Sequence, residues 1–269
     1  MTRYLLLAAL SLTFQSHSQS KPETSEAKKL RQDAIIQEHV YDGAARINYK
    51  VMMREYQDCL DAGLKKDSTI AYLWQQKAMP YFKARKYEVG MPLIDKAVAY
   101  DAARWQPYRA FIKCIFAKTY RDALVDFEDC KSKFGNGYVM DHTYDFYMAL
   151  CYLQLNEFVK AETLLKKYNE ELYNDREALE HHTALFYYGI SLYEQGRYQE
   201  ALVPFDKALK IYTQFSDAKC YKAMCLARLG MVTESQQLFE VAKEDYKNGY
   251  MLNEDNVVYE TYPYQIRWQ

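Results

Sequence analysis

HTALFYYGISLYEQGRYQEALVPFDKALKIYT, residues 182–213, is the stretch whose reading decides the architecture. Leu185, Tyr188, Gly189 and Leu192 recur at three- and four-residue steps, so one face of a first helix is apolar and carries a glycine where a second helix can approach closely. Gly196 breaks that helix. Beyond it Tyr198, Ala201, Phe205, Ala208 and Leu209 draw a second apolar face at the same period. Two amphipathic helices joined by a tight turn make an αα-hairpin.

Counted from His182, the small residues Gly189, Ala201 and Ala208 fall eighth, twentieth and twenty-seventh, and the aromatic Tyr198 and Phe205 fall seventeenth and twenty-fourth. This pattern closely resembles the tetratricopeptide repeat. Thr213 stands where that family often has proline, and Leu185 where it usually has tryptophan. The pattern returns from Ala71 (Trp74, Ala78, Tyr81, Tyr87, Gly90, Ala97) and from Arg104 (Cys114, Tyr120, Ala123, Phe127, Cys130). It returns again from His142 (Ala149, Tyr152, Phe158, Ala161, Leu165) and from Ser216 (Ala223, Leu226, Gly230, Phe239, Ala242). The resemblance covers about residues 71–245. It implies an all-α chain: a right-handed α-solenoid of antiparallel helix hairpins with a concave groove.

Three irregularities carry expectations. Pro80 inside a first helix removes a backbone hydrogen bond and should bend it. Phe111, a ring where the family has a small residue, should force two helices apart or push into the neighbouring repeat. The extra residues from Asn169 to His181 are helix formers and should lengthen helices.

Composition agrees with helix. Of 269 residues only 9 are glycine and 6 proline, with 49% hydrophobic and 26% charged content, enough for a substantial core. The 27 tyrosines suit repeat interfaces that bury a ring and leave its hydroxyl wet, and they would equally suit a binding surface. Residues 1–18 read as a secretory signal peptide: Arg3, an apolar run from Tyr4 to Phe14, then small residues. That run is too short to span a bilayer, so no integral membrane segment is expected after cleavage. Its removal takes away Arg3 alone, so 35 basic residues become 34 against 36 acidic ones, and no field for nucleic acid follows. No Asn-x-Ser/Thr site occurs, which fits a bacterial exported protein, and the expected address is the periplasm of a Gram-negative bacterium, or outside the cell.

Residues 19–26 read as a disordered leader, with helix starting near Ser25, and 27–70 as a degenerate N-terminal helical cap. Residues 71–247 make five hairpins, and 248–269 an aromatic C-terminal strap. Gly249 is a good helix stop, and Val257, Tyr259, Tyr262, Tyr264, Ile266 and Trp268 are too apolar for a disordered end. The tail either covers the last hairpin, or occupies the groove near Phe186, Ile190 and Tyr193, or is a free docking peptide for another protein.

No catalytic, nucleotide-binding or dinucleotide motif occurs, which argues against an enzyme and against a cofactor. His181 and His182 point about 100° apart on a helix and cannot both face one metal easily. Asp141, His142 and Asp145 read as a capped helix N-terminus. The six cysteines lie at spacings that disfavour the obvious pairs and read mostly as small buried hydrophobes, with Cys59 the candidate for a bridge.

In the tetratricopeptide family the concave surface is built from the first helices. Here the resemblance implies a partner-binding set of Tyr72, Met79, Phe82, Trp105, Tyr108, Phe146, Leu150, Phe186, Ile190 and Tyr193. The groove is apolar and aromatic and lacks the basic set with which some members grip a chaperone's terminal carboxylate. The expected function is a non-catalytic scaffold or adaptor of the cell envelope that binds a protein or peptide. The alternative is a structural component of an envelope machine for secretion, uptake or outer-membrane assembly.

Overall fold

The computed structural model describes residues 23–175 and 181–268. The signal peptide expected at 1–18 and the leader residues 19–22 lie outside the described residues. The rest of the expected leader is ordered at once: Thr24 caps α1 (Ser25–Ile36), its hydroxyl accepting the N–H of Ala27 at 3.2 Å. A π-helical turn (Gln37–Tyr41) and a 3₁₀ turn (Ala44–Arg46) lead to α2 (Met53–Lys66). Ile35, Val40, Tyr56, Leu60 and Leu64 close a small separate core with Leu73 of the next helix.

Five antiparallel hairpins follow. They are α3 (Ala71–Lys83) with α4 (Tyr87–Tyr100), α5 (Ala102–Phe111) with α6 (Tyr120–Phe134), and α7 (Tyr144–Gln154) with α8 (Phe158–Asp175). Then come α9 (His182–Glu194) with α10 (Tyr198–Ile211), and α11 (Ser216–Arg228) with α12 (Val232–Lys247). They stack into the right-handed α-solenoid, in which α7, α9 and α11 touch in succession as an inner layer. The small residues of the repeat mark the contacts: Ala97, Ala123, Ala161, Ala201, Ala208 and Ala242 are fully buried. At Gly189 a Cβ would stand 2.5 Å from the Phe205 ring, so the close approach of α10 to α9 needs a residue without one.

Every hairpin turns through one residue of left-handed backbone: Arg85, Lys118, Asn156, Gly196 and Gly230, with φ of 58°, 58°, 60°, 73° and 82°. Glycine takes this conformation freely and the other three do not. Pro80 lies inside α3, which continues through it to Lys83. Phe111 ends α5; the chain widens into a π-helical turn (Ile112–Phe116), and the ring enters the neighbouring repeat, 5.3 Å from the Tyr147 ring in edge-to-face contact. α8 is the longest helix described, 18 residues, as the helix formers after Asn169 imply. A two-residue strand pair, β1 (Tyr138–Val139) with β2 (His142–Thr143), precedes α7 and is the one β element described in a chain expected to be all-α.

Candidate functional site

Gly249 ends the last helix at φ 86°, and residues 250–268 then cross the inner face twice. The outgoing limb passes the N-terminal ends of three first helices in turn. The Tyr250 carbonyl accepts the N–H of Ser216 at 2.9 Å. Leu252 donates its N–H to the Asp217 carboxylate at 2.8 Å, and Asn253 pairs with His182 at 2.8 Å. Both carboxylate oxygens of Glu254 lie 3.2 Å from His142 Nε2.

The far end of the loop is held by the turns of the first two hairpins. Arg85 donates to the Tyr259 carbonyl at 3.1 Å and pairs with Glu260 at 3.1 Å; Lys118 reaches Glu260 at 3.0 Å, and the Tyr87 hydroxyl donates to the same carboxylate at 2.7 Å. Burial would raise the Glu260 carboxyl, but Tyr87, Lys118 and Arg85 outweigh it and hold it below the usual carboxylate range. Arg85 and Lys118 are two of the left-handed turn residues, at the places where the fourth and fifth hairpins have glycine. The strain of a side chain there coincides with the clamp it makes.

The returning limb lies on the aromatic rings of the inner helices. Tyr187 donates its hydroxyl to the Pro263 carbonyl at 2.9 Å, the Tyr264 ring stands 6.2 Å from that of Tyr221, and Ile266 donates its N–H to Asp217 at 2.6 Å. Trp268 ends on α12, 4.7 Å from the Phe239 ring. Of the tail, Leu252 and Tyr262 are as buried as the core.

The ten residues of the expected partner-binding set divide. Phe82, Trp105, Phe146, Leu150, Phe186 and Ile190 are buried, packed within and between hairpins. Phe146 and Phe186 are wholly enclosed because their rings meet Tyr147, Tyr187 and Phe215 instead of solvent. Tyr72, Met79, Tyr108 and Tyr193 are half-buried and keep open surface. Tyr72 stacks on Trp105 at 6.1 Å, with the Arg104 guanidinium 4.7 Å above the Trp105 ring. The residues that hold the tail, Arg85, Tyr87, Lys118, His142, Tyr187 and Asp217, were outside the expected set. The signal that could have found two of them is a basic residue at a turn position where the repeat accepts glycine.

The Asp141–His142–Asp145 reading needs correcting. Thr143 occupies the N-cap of α7 without a side-chain bond, and the Asn136 side chain accepts the Asp145 N–H at 3.1 Å instead. Asp145 is buried against Lys131, and His142 is fully buried, its Nδ1 2.9 Å from the Tyr168 hydroxyl. His181 and His182 stack on each other, and His181 meets His142 edge-on at 4.8 Å. Burial, then the His142 and His182 imidazoles, push the His181 ring down to about 4. All six cysteines are free; Cys59 donates its thiol to the His39 carbonyl at 3.3 Å and bridges nothing.

The family model for the tetratricopeptide repeat matches residues 183–214. Among solved structures, a tetratricopeptide repeat protein from Parabacteroides merdae is similar at 14% identity and TM-score 0.63, over 80% of each chain. PilW, a type IV pilus biogenesis factor, is similar at 14% identity and TM-score 0.61, over 85% of this chain and 98% of its own. YrrB, described as having an unusual peptide-binding site, is similar at 16% identity and TM-score 0.52, over 71% and 94%. No curated protein matches the sequence. At these identities the likeness is one of fold. Among the described residues no helix is long and apolar enough to cross a membrane.

Proposed function

We propose that this tetratricopeptide-repeat protein is a non-catalytic protein-binding scaffold of the bacterial cell envelope, and that its inner groove takes an extended polypeptide whose place its own tail fills. The observation that carries this reading is how the tail is held. Asp217 takes two backbone N–H groups, and Tyr187 and Arg85 donate to backbone carbonyls. Contacts to the main chain can be met by a polypeptide of another sequence, while pockets for side chains such as Tyr262 and Glu260 set selectivity. The half-buried Tyr72, Met79 and Tyr108 extend the same surface toward the first hairpins, and the half-buried Tyr193 lies on α9 beside Tyr221. The peptide-binding site in the description of YrrB, which shares the fold, fits a peptide as the class of partner. The envelope address rests on residues 1–18.

The test is a fluorescent peptide of residues 250–268, titrated into the full chain and into Glu260→Ala, which loses the clamp at the far end of the loop. Binding to Glu260→Ala at least about tenfold tighter than to the unaltered chain is expected, because the tail competes in cis. A peptide that binds neither protein rejects the groove as a polypeptide site. It would favour the second reading, a structural component of an envelope machine whose tail is a permanent part of the fold. The similarity of PilW, a pilus biogenesis factor, fits that reading. Fractionation of cells expressing the full chain checks the address.

A further inference from the structure

We propose that His142, His181 and Glu254 form a site for a divalent transition-metal ion of the zinc class, which fastens the tail to the entries of α7 and α9. One ligand atom from each lies within 4.8 Å of the others, although the three residues come from segments far apart in the chain. His142 Nε2 is 3.2 Å from both Glu254 oxygens, close to the ~3.3 Å edge of a tetrahedron drawn around zinc at 2.0–2.1 Å. His181 is half-buried at the start of α9, where its ring can turn the remaining distance.

A plain hydrogen-bonded pair accounts for His142 and Glu254 but not for His181, whose Nδ1 is buried and finds no hydrogen-bond partner among the described residues. Buried polar atoms are nearly always satisfied, and an ion in the cluster gives this nitrogen a partner. The second shell is in place. The Tyr168 hydroxyl meets His142 Nδ1 at 2.9 Å and leaves Nε2 facing Glu254. Without an ion, Tyr168 donates to Nδ1 and Nε2–H donates to the carboxylate. With one, the proton moves to Nδ1 and the Tyr168 oxygen accepts it, so one hydroxyl supports both states.

The surroundings suit a cation. Asp141 adjoins His142 and Asp255 adjoins Glu254 in the chain, so three acids share this corner with two imidazoles. Two imidazole nitrogens and one carboxylate select zinc and its neighbours over calcium and magnesium, which prefer oxygen. Three protein ligands leave a fourth position for water.

The site is independent of whether the groove binds a partner, and it is tested by binding of the metal itself. Untagged full-length protein, stripped with chelator, is titrated with Zn²⁺ by calorimetry, and its melting is followed with and without the ion. One Zn²⁺ per chain and a raised melting temperature are expected, with no such response to Mg²⁺ or Ca²⁺. Tyr168→Phe should weaken Zn²⁺ roughly 10–100-fold, and His181→Gln and Glu254→Gln should weaken it further. His181→Gln leaves the His142–Glu254 contact in place, so its loss of Zn²⁺ cannot be ascribed to a detached tail. Absence of stoichiometric Zn²⁺, or equal affinity in His181→Gln and the unaltered chain, overturns the proposal.

Discussion

Asp217 accepts the backbone N–H of Ile266 at 2.6 Å, across 49 residues of chain, while its other oxygen accepts that of Leu252. One buried carboxylate therefore holds both limbs of the tail. Burial pushes it up to about 6, although the two N–H groups pull the other way. The folded chain thus keeps a proton that the unfolded chain releases near 4. The group's contribution to stability is full below about 4 and is lost as the pH rises through about 6. Asp217→Asn cannot accept from both N–H groups and should cost about 1–3 kcal/mol, more at pH 4.5 than at pH 7. Urea denaturation at the two pH values checks this; a deficit independent of pH would contradict it.

Ala201 is fully buried where α10 meets α9, and Gln199 is exposed two residues earlier. Ala201→Leu should overpack the contact and destabilise by about 1–3 kcal/mol, whereas Gln199→Leu should stay within about 0.5 kcal/mol. Thermal melting of the two variants reads the difference, and equal shifts would refute the packing register.

Truncation after Asn248 uncovers the inner helices and removes Leu252 and Tyr262, both buried. Those two side chains alone represent roughly 3 kcal/mol or more of apolar burial. The truncated chain should melt lower and aggregate. Unchanged melting and solubility would mean that the tail is a free docking peptide.

Five of the six cysteines are buried and Cys59 is half-buried. Burial pushes Cys130 up to about 11, and Cys220 and Cys225 up to about 12, which suppresses their thiolates. A maleimide at neutral pH should label Cys59 alone in the folded chain and all six in denaturant, counted by mass. Rapid labelling of a second cysteine in the folded protein would contradict the burial.

The hairpins were legible in the sequence because their determinants are local. Apolar residues at three- and four-residue steps fix the face of each helix, and starts at Ala71, Tyr87, Tyr120, Phe158, His182, Tyr198 and Ser216 follow from that period and the turns between. Phe111 announced a departure by its size, but whether it would spread its own hairpin or enter the next depended on room beside Tyr147. Of the groove set, Phe146 and Phe186 are enclosed because neighbouring first helices lie close enough for rings from adjacent units to meet them, a closeness that depends on the packing between hairpins.

The sequence by itself determined a helical-hairpin solenoid and a tail too apolar for a disordered end, with a cap, a groove strap and a free docking peptide all open to it. Only the tertiary structure decided where it lies. The pairs that hold the tail, Arg85 with Tyr259, Lys118 with Glu260 and His142 with Glu254, join residues 174, 142 and 112 apart. No periodicity links such positions. They meet because the rotation between successive hairpins accumulates along the stack and brings distant helix ends around one groove.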